Sequence, residues 1–345
     1  MFCEELSFSM HTKYLHLPSE FIAHVMIVVT GAAGFIGSCL LKELRNRGYV
    51  DLIAVDDFSN IDKEQNLLAV DNAKRVNRDD FHLWLKENQQ LVQFVFHIGA
   101  RTNTAEFDMQ VLNKLNLDYT KEVWKLCSAF SIPLIFASSA ATYGMGELGF
   151  DDNTAPEDLI PLNPYGISKN EFDKWMLKQS STPPFWAGFK FFNVYGPNEY
   201  HKGRMASVIF HAFNQINSTG KVKLFQSHHP QFKDGEQERD FIYVKDVLSV
   251  LIYMMEQRTH SGLYNLGTGK TGTFLELACA VFDALGKPHN IEYIPTPIDI
   301  RDKYQYYTCA KMDKLRQAGY IAPFTSLREG AMEYVVKYLI DGKRY

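Results

Sequence analysis

Residues 26–48, "MIVVTGAAGFIGSCLLKELRNRG", join a short apolar run to a stretch of helical periodicity through a turn that contains three glycines. The apolar run has the length and β-branched composition of a buried strand. Gly31, Gly34 and Gly37 allow a tight turn and a close approach of the backbone to a ligand. Because the free N–H groups at a helix N-terminus attract phosphate, the stretch predicts a unit that binds a dinucleotide.

The same strand and helix rhythm continues along the chain. The β-rich runs "DLIAVDDF", "LVQFVFHIGA", "IPLIFASSAA" and "FWAGFKFFNVYG" follow, and helical stretches such as "NLDYTKEVWKLCSAF" separate several of them. This alternation is typical of an α/β protein, and it predicts a Rossmann-like, doubly wound parallel sheet. Two later helices have capping boxes at their starts, in "TFLE" (273–276) and "SLRE" (326–329).

These patterns divide the chain into a larger and a smaller part. We predict a dinucleotide-binding domain over 26–196, with return segments near 240–268, and a smaller substrate-binding lid over 197–239 and 269–345. Residues 1–25 are expected to be an N-terminal extension, disordered or belonging to a misassigned start, because they do not have the pattern of a signal peptide.

Composition excludes several classes of partner. The 345 residues have a net charge of -4 without long runs of one sign, so we expect no nucleic acid and predict small-molecule partners. No apolar run reaches the roughly 18 residues of a membrane span. The five cysteines have no metal-ligand spacing, so we expect reduced thiols, a cytoplasmic protein and no metal site.

Two further motifs carry chemistry. In "PYGISK", Tyr165 and Lys169 are four residues apart on a helix, so the lysine is expected to lower the tyrosine pKa toward that of a general base. In "SSAATYG", Ser139 ends a strand and is placed to hydrogen-bond a substrate hydroxyl. Tyr307 and Lys311 have the same spacing outside this context, and we interpret that pair as structural.

Gly31, Gly34 and Gly37, then Ser139, then Tyr165 and Lys169, resemble the extended short-chain dehydrogenase/reductase family of nucleotide-sugar enzymes. The resemblance covers residues 26 to about 340. Within it, "HIGARTNTAEFD", "PLNPYGISK", "RDFIYVKDV" and above all "NVYGPNEYHKGRMAS" are similar to the ADP-glycero-manno-heptose 6-epimerases. The resemblance implies an isomerase acting on ADP-heptose in lipopolysaccharide core biosynthesis.

The resemblance also gives Lys202 a role. A lysine at this position in the family is a second acid/base group, across the substrate from the tyrosine that matches Tyr165. The implied cycle removes hydride from C6 of the heptose to the bound nicotinamide, lets the 6-keto intermediate turn, and returns the hydride to the opposite face. Two proton-transfer groups would serve the two orientations.

One departure from related enzymes excludes an alternative reaction. Dehydratases of this family have an acidic pair after the strand-end hydroxyl, whereas this chain has Ala140 and Ala141, which cannot protonate a leaving hydroxyl. Two alternatives stay open: a UDP-sugar 4-epimerase of the same fold, and a binding protein that senses NAD(P) without turnover. Product formation from ADP-heptose would separate them.

The remaining candidates follow from the resemblance. The cofactor-binding set is Gly31, Phe35, Ile36, Gly37, Asp56, Asp57, Lys63, Arg78 and Lys169. The substrate-binding set is Asn193, Arg204, His211, Phe225, Arg239 and Tyr304. Arg204 replaces a serine of the best-known branch, and the segment "QSHHPQFKDGEQERDF" before Arg239 is longer than in that branch.

The chemistry of the residues after the second strand and the family resemblance favour different cofactors. Asp56 and Asp57 favour the free 2′-hydroxyl of NAD, because carboxylates repel a 2′-phosphate. The resemblance favours NADP through the cations Lys63 and Arg78. We expect NADP, with NAD as the alternative, and a homo-oligomer that the resemblance suggests is a pentamer.

Overall fold

The structure is a computed structural model that describes residues 26–104, 106–301 and 304–345. The expectation for residues 1–25 lies outside the described residues. The strands are β1 Met26–Thr30, β2 Leu52–Asp56, β3 Lys74–Asn77, β4 Val92–His97, β5 Leu134–Ser139, β6 Trp186–Phe191, β7 Asn193–Tyr195, β8 Val222–Phe225, β9 Glu238–Arg239, β10 Phe241–Tyr243, β11 Gly262–Leu266, β12 Gly272–Thr273, β13 Ile291–Ile294 and β14 Tyr307–Thr308.

Helices alternate with these strands. They are α1 Phe35–Asn46, α2 Ile61–Glu64, α3 Phe81–Asn88, α4 Met109–Leu112, α5 Tyr119–Ala129, α6 Pro164–Leu177, α7 Val208–Thr219, α8 Val244–Gln257, α9 Phe274–Ala284, α10 Ile298–Arg301, α11 Asp313–Gln317 and α12 Leu327–Tyr334. A π-helical segment, Asn113–Asp118, joins α4 to α5. Within the described ranges, no helix combines the length and the apolar character that a membrane crossing needs.

Seven strands form one parallel sheet in the order β11-β6-β5-β4-β1-β2-β3, which confirms the predicted doubly wound sheet. Its central strands are apolar on both faces because helices cover both faces. Ile27 and Val29 of β1 belong to one apolar cluster, and Val28 between them belongs to the other. The strand order reverses between β1 and β4, and in open α/β sheets ligands bind at this switch point, beyond the carboxyl ends of the strands.

Among the described residues, the strands outside the main sheet form three smaller sheets. β7 pairs with β10, β8 pairs with β13, and β9 lies between β12 and β14. "RDFIYVKDV" and "LYNLGTG" interleave with the first part of the chain, since β10 pairs with β7 and β11 is an edge strand of the main sheet. Arg239 of β9 therefore lies just before β10, the strand that pairs with β7.

Candidate active site

The glycine turn between β1 and α1 is closely packed. Gly31 has a φ of +67°, and a Cβ atom there would lie 2.6 Å from the Gly99 Cα atom. A Cβ atom on Gly37 would lie 2.1 Å from the Gly31 carbonyl oxygen. Helix α1 begins at Phe35, and its N-cap, Gly34, has no side chain to bond the first N–H groups. A turn whose glycines expose the backbone, followed by helix N–H groups without a side-chain cap, fits the pyrophosphate of a dinucleotide.

The predicted charged residues meet at the carboxyl end of β2. Asp56 is buried, and its Oδ2 accepts a 2.9 Å hydrogen bond from the Ala33 N–H in the glycine turn. The Lys63 Nζ lies 3.4 Å from the Asp56 Oδ1, and the Arg78 guanidinium lies 3.6 Å from the Asp57 Oδ2. Each of the two cations therefore has one aspartate of this cluster as its partner.

Tyr165, Lys169 and Ser139 meet where β5 ends. Asn163 caps α6 by accepting a 2.8 Å hydrogen bond from the Gly166 N–H, which places Tyr165 in the first turn of the helix. The Ser139 hydroxyl interacts with the Tyr165 phenol. The Lys169 Nζ donates a 2.8 Å hydrogen bond to the Ala137 carbonyl oxygen of β5. Strand and helix thus bring one hydroxyl, one phenol and one ammonium to the same end of the sheet.

The effect expected on the tyrosine pKa is wrong for the chain without ligand. Burial raises the pKa of Tyr165, and only the interaction with Ser139 opposes this rise. Burial also lowers the pKa of Lys169 to about 8, against the opposing effect of Asp173. The lysine ammonium is directed to a backbone carbonyl of β5, so it does not lower the phenol pKa as the helical spacing alone suggested.

Sequence reasoning missed a buried ion pair beside these residues. Lys190 of β6 and Asp173 of α6 are 1% and 0% exposed, with Nζ and Oδ2 3.0 Å apart. The Ser138 hydroxyl donates a 2.7 Å hydrogen bond to the same carboxylate, and the Lys190 Nζ donates to the Thr142 hydroxyl. Asp173 follows Lys169 by one helical turn, and this spacing was the available signal. The strand position of Lys190 gave no comparable signal.

Lys202 lies in a short 3-10 segment, Tyr200–Met205. Its Nζ is 5.3 Å from the centre of the Phe35 ring, in the first turn of α1. Burial lowers the pKa of Lys202, and the nearby carboxylate of Glu199 opposes this decrease. Among the described residues no hydrogen bond joins Lys202 to Tyr165, so the structure brings this lysine to the glycine turn and not into direct contact with the phenol.

Three of the predicted substrate residues cluster at β9. The Arg239 guanidinium is 5.5 Å from the centre of the Tyr304 ring, and that ring is 6.0 Å from the Phe225 ring. Arg239 is 8% exposed, and burial lowers its pKa. The cluster presents two aromatic faces and one cation, which suits a base and a phosphate.

The longer segment before Arg239 packs on this cluster. The rings of His229 and Phe232 lie 5.1 Å and 5.5 Å from the Tyr306 ring. The Tyr306 ring in turn is 5.3 Å from the Tyr304 ring. The additional residues therefore border the Arg239 cluster.

The other three substrate candidates lie apart from that cluster. The His211 ring is 3.4 Å from the Arg204 carbonyl oxygen, so these two residues are neighbours beyond Lys202. Asn193 is the first residue of β7, and its side-chain amide donates a 3.1 Å hydrogen bond to the Asp240 carbonyl oxygen. This bond is the one expected if Asn193 caps the end of a strand, although the residue stays exposed.

Comparison with known proteins agrees with this arrangement. The family model described as "NAD dependent epimerase/dehydratase family" matches residues 27–267. An ADP-L-glycero-D-manno-heptose-6-epimerase of Fusobacterium nucleatum is 46% identical over 331 residues, which cover 93% of this chain and 100% of that protein. A protein of the same name from Nitratidesulfovibrio vulgaris is 45% identical, with coverage of 91% and 98%.

A solved structure extends the comparison to the fold. The crystal structure of Helicobacter pylori ADP-L-glycero-D-manno-heptose-6-epimerase superposes with a TM-score of 0.77 at 26% identity, covering 90% of this chain and 95% of that one. The family match spans the glycine turn, Ser139, Tyr165 and Lys169. On the agreement of family match, relatives and site geometry, the chain belongs to the NAD dependent epimerase/dehydratase family.

Proposed function

We propose that this protein inverts C6 of ADP-D-glycero-D-manno-heptose to give the L-epimer. The observation that carries the proposal is the meeting of the Tyr165 phenol with the Ser139 hydroxyl at the carboxyl end of β5, the end of the parallel sheet at which the glycine turn follows β1. The name of relatives that are 45% and 46% identical over more than nine tenths of the chain supports the heptose as substrate. The enzyme is accordingly an isomerase that uses a nicotinamide cofactor.

The residues divide the work as follows. Ser139 holds the substrate hydroxyl toward Tyr165, and Tyr165, in its phenolate form, takes the hydroxyl proton and becomes a phenol as C6 becomes a carbonyl. Lys202 serves the other orientation of the 6-keto sugar, and its lowered pKa brings it closer to the range of a general base. When bound, the nicotinamide supplies an acceptor that takes hydrogen with its electron pair and gives it back. The reaction has no net redox change, so no second substrate is needed.

Substrate binding is assigned to two regions. Arg239, Phe225 and Tyr304 hold the ADP part, because the guanidinium fits a diphosphate and the rings fit a base. Asn193, Arg204 and His211 border the sugar, on the side of Lys202. Ala140 and Ala141 occupy the turn after β5, where a dehydratase needs acidic residues, so the keto sugar keeps its other hydroxyls.

The cofactor is held by the glycine turn and the first turn of α1, with Gly31, Phe35, Ile36 and Gly37 against its pyrophosphate and Lys169 at its nicotinamide ribose. We infer that it is NADP, with NAD as the alternative. A 2′-phosphate would replace Asp56 and Asp57 as the partner of Lys63 and Arg78, which are 3.4 Å and 3.6 Å from those carboxylates. A free 2′-hydroxyl would instead donate to the carboxylates and leave both ion pairs in place.

The dinucleotide can be released by denaturing the protein and identified by its mass, which distinguishes NADP from NAD. We expect NADP, and weaker retention in Lys63→Ala and Arg78→Ala, because each variant removes one cation from the phosphate. Recovery of NAD alone, with retention unchanged in both variants, would contradict the choice of NADP.

We also propose a homo-oligomer, a pentamer by resemblance, and light scattering that shows only monomer would contradict it.

The experiment that tests the proposed function is direct. The purified protein is incubated with ADP-D-glycero-D-manno-heptose, and the two C6 epimers are separated by chromatography. We expect both epimers at equilibrium and no turnover of UDP-glucose. Conversion of UDP-glucose to its C4 epimer would identify a 4-epimerase, and bound cofactor without either product would identify a binding protein.

A further inference from the structure

Asn66 connects the cofactor turn to the segment that carries Lys202. The side chain is 2% exposed, and its Nδ2 donates to the Ala33 carbonyl oxygen at 3.0 Å and to the Asn198 carbonyl oxygen at 3.1 Å. The same Nδ2 lies 3.2 Å from the Nδ1 of His201, the residue directly before Lys202. One buried amide therefore contacts both the glycine turn and the residue next to the proposed second acid/base group.

Arg344 fixes the orientation of this amide. Its Nε lies 3.0 Å from the Asn66 Oδ1, and an arginine can only donate, so the amide oxygen must face Arg344 and the NH₂ group must face the carbonyls. The two hydrogens of the NH₂ group go to the Ala33 and Asn198 carbonyls, so the His201 Nδ1 at 3.2 Å is a close neighbour of the amide and not a third acceptor. Burial, helped by Lys63 and Lys202, lowers the pKa of His201 to about 4, so this ring adds no charge beside Lys202.

The carboxyl-terminal segment also holds the residue before His201. The Tyr200 hydroxyl donates a 2.7 Å hydrogen bond to the Lys343 carbonyl oxygen, and the Arg344 guanidinium lies 5.0 Å from the centre of the Tyr200 ring. Beyond Lys202, Gly203 has a φ of +52° and open space where a Cβ would be. The Lys202 segment is thus anchored on its amino-terminal side by the carboxyl-terminal residues.

We propose that Asn66 and Arg344 are positioning residues that hold the Lys202 ammonium at the substrate through the hydrogen bonds of Asn66 to the Ala33 and Asn198 carbonyls. This inference rests on the proposed function, since it assumes that Lys202 transfers a proton. Neither residue touches the reacting atoms. Their effect on turnover is exerted through Lys202, and their contacts set where its segment lies relative to the cofactor turn.

A double-mutant cycle of Arg344→Ala with Lys202→Met tests the proposal. We expect Arg344→Ala alone to lower kcat about 10-fold with KM for ADP-heptose little changed, since a misplaced catalytic group loses rate without losing binding. In the Lys202→Met background, Arg344→Ala should have no further effect on kcat. Equal losses in both backgrounds would show a general structural role and overturn the proposal.

Two variants control for unfolding and for local charge. Lys343→Ala removes a neighbouring cation whose Nζ pairs with the exposed Asp341 at 2.7 Å, and it keeps the carbonyl that Tyr200 uses, so wild-type kcat is expected. Asn66→Asp keeps the size of the side chain and the acceptor for Arg344 but loses the donors to Ala33 and Asn198. It should lower kcat as Arg344→Ala does, and wild-type kcat in this variant would contradict the proposal.

Hydrogen exchange gives a readout that does not depend on turnover. In Arg344→Ala, the backbone amides of 200–206 should exchange faster while those of α6 stay unchanged. Wild-type exchange over 200–206 would overturn the proposal even if activity fell. If Lys202→Met keeps wild-type activity, the proposed role of Lys202 fails and this inference fails with it. If Lys202→Met is slow but Arg344→Ala is normal in kcat and exchange, only this inference fails.

Discussion

Tyr165 is the residue whose hydroxyl the proposed reaction depends on most. Its phenol is partly buried beside the Ser139 hydroxyl, and burial raises its pKa above the ordinary value. A raised pKa favours the neutral phenol, whereas only the phenolate can accept the proton of the substrate hydroxyl, so the phenolate must form before hydride leaves C6. We therefore assign the orientation of the substrate hydroxyl to Ser139 and the proton transfer to Tyr165.

Removal of the hydroxyl in Tyr165→Phe should leave the fold intact and lower epimerisation by about 10²- to 10⁴-fold, the range of general acid/base groups. Lys202→Met should lower it by a similar factor. The assay is the initial rate with ADP-heptose, beside the thermal midpoint and the content of bound dinucleotide. Tyr307→Phe is the matched control, because Tyr307 has the same spacing to a lysine and is 46% exposed, with Lys311 paired to Asp151. A near wild-type rate in Tyr165→Phe would contradict its role.

His97 links a single residue to the pH dependence of stability. It is 2% exposed at the end of β4, and its ring lies between the Thr30 and Thr120 hydroxyls at 2.7 Å and 2.9 Å. Burial lowers its pKa to about 3. In the unfolded chain a histidine has a pKa of about 6.5, so between these two values the unfolded chain binds a proton that the native chain does not.

Stability should therefore fall as the pH is lowered through this window. The contribution of His97 is about 1.4 kcal/mol for each pH unit below about 6.5. Urea unfolding of the wild type and of His97→Gln at pH 7 and pH 5 measures it, and the wild type should lose about 2 kcal/mol more than the variant. Equal losses in the two proteins would show that His97 is not buried as a neutral ring.

At the scale of elements, the strand–turn–helix unit of β1 and α1 depends on glycines that leave no room for a side chain. In Gly37→Ala, the new Cβ would lie 2.1 Å from the Gly31 carbonyl oxygen, which must then move. We expect this variant to lose bound dinucleotide, measured as the amount released per chain. Gly286→Ala is the control: its φ is +63° but its Cβ would meet nothing within 4 Å, so a cost of about 1 kcal/mol and full retention are expected. Full retention in Gly37→Ala would contradict the assigned cofactor turn.

Elements with strong local signals could be predicted from the sequence. The run at 26–31 became β1, and the capping boxes at Thr273 and Ser326 are confirmed, with side chain and backbone bonded in both directions. β3 was missed because this edge strand has only Val76 buried, so it lacks an apolar pattern. The π-helical segment Asn113–Asp118 was missed because one additional residue in a turn leaves the apolar periodicity almost unchanged.

The side-chain contacts of the site could be predicted only where they are local. The Tyr165 and Lys169 spacing was visible, but the direction of the lysine ammonium depends on the Ala137 carbonyl of another strand. Asp173 and Lys190 are paired across α6 and β6, and only packing brings them together. Burial of the phenol, which the spacing of Tyr165 and Lys169 does not show, is the main cause of its raised pKa, and this is why the expected direction was wrong.

At the scale of the whole molecule, the site combines segments that are distant in the chain. The glycine turn follows β1, Ser139 ends β5, Tyr165 begins α6, and Lys202 comes from the segment after β7. The switch point between β1 and β4 brings the first two together, and residues 343–345 hold the segment of Lys202 against the glycine turn. Cofactor, proton-transfer groups and sugar can therefore meet at one end of the sheet.

The central claim is that C6 is inverted by removal and return of the same hydrogen. The measurement is conversion of ADP-heptose that carries deuterium at C6, in ordinary water, followed by mass and NMR analysis of the product. The account predicts the L-epimer with deuterium still on C6, because the hydrogen stays in the closed site while the keto sugar turns. Loss of the deuterium to water, or its presence only in unreacted D-epimer, would contradict it.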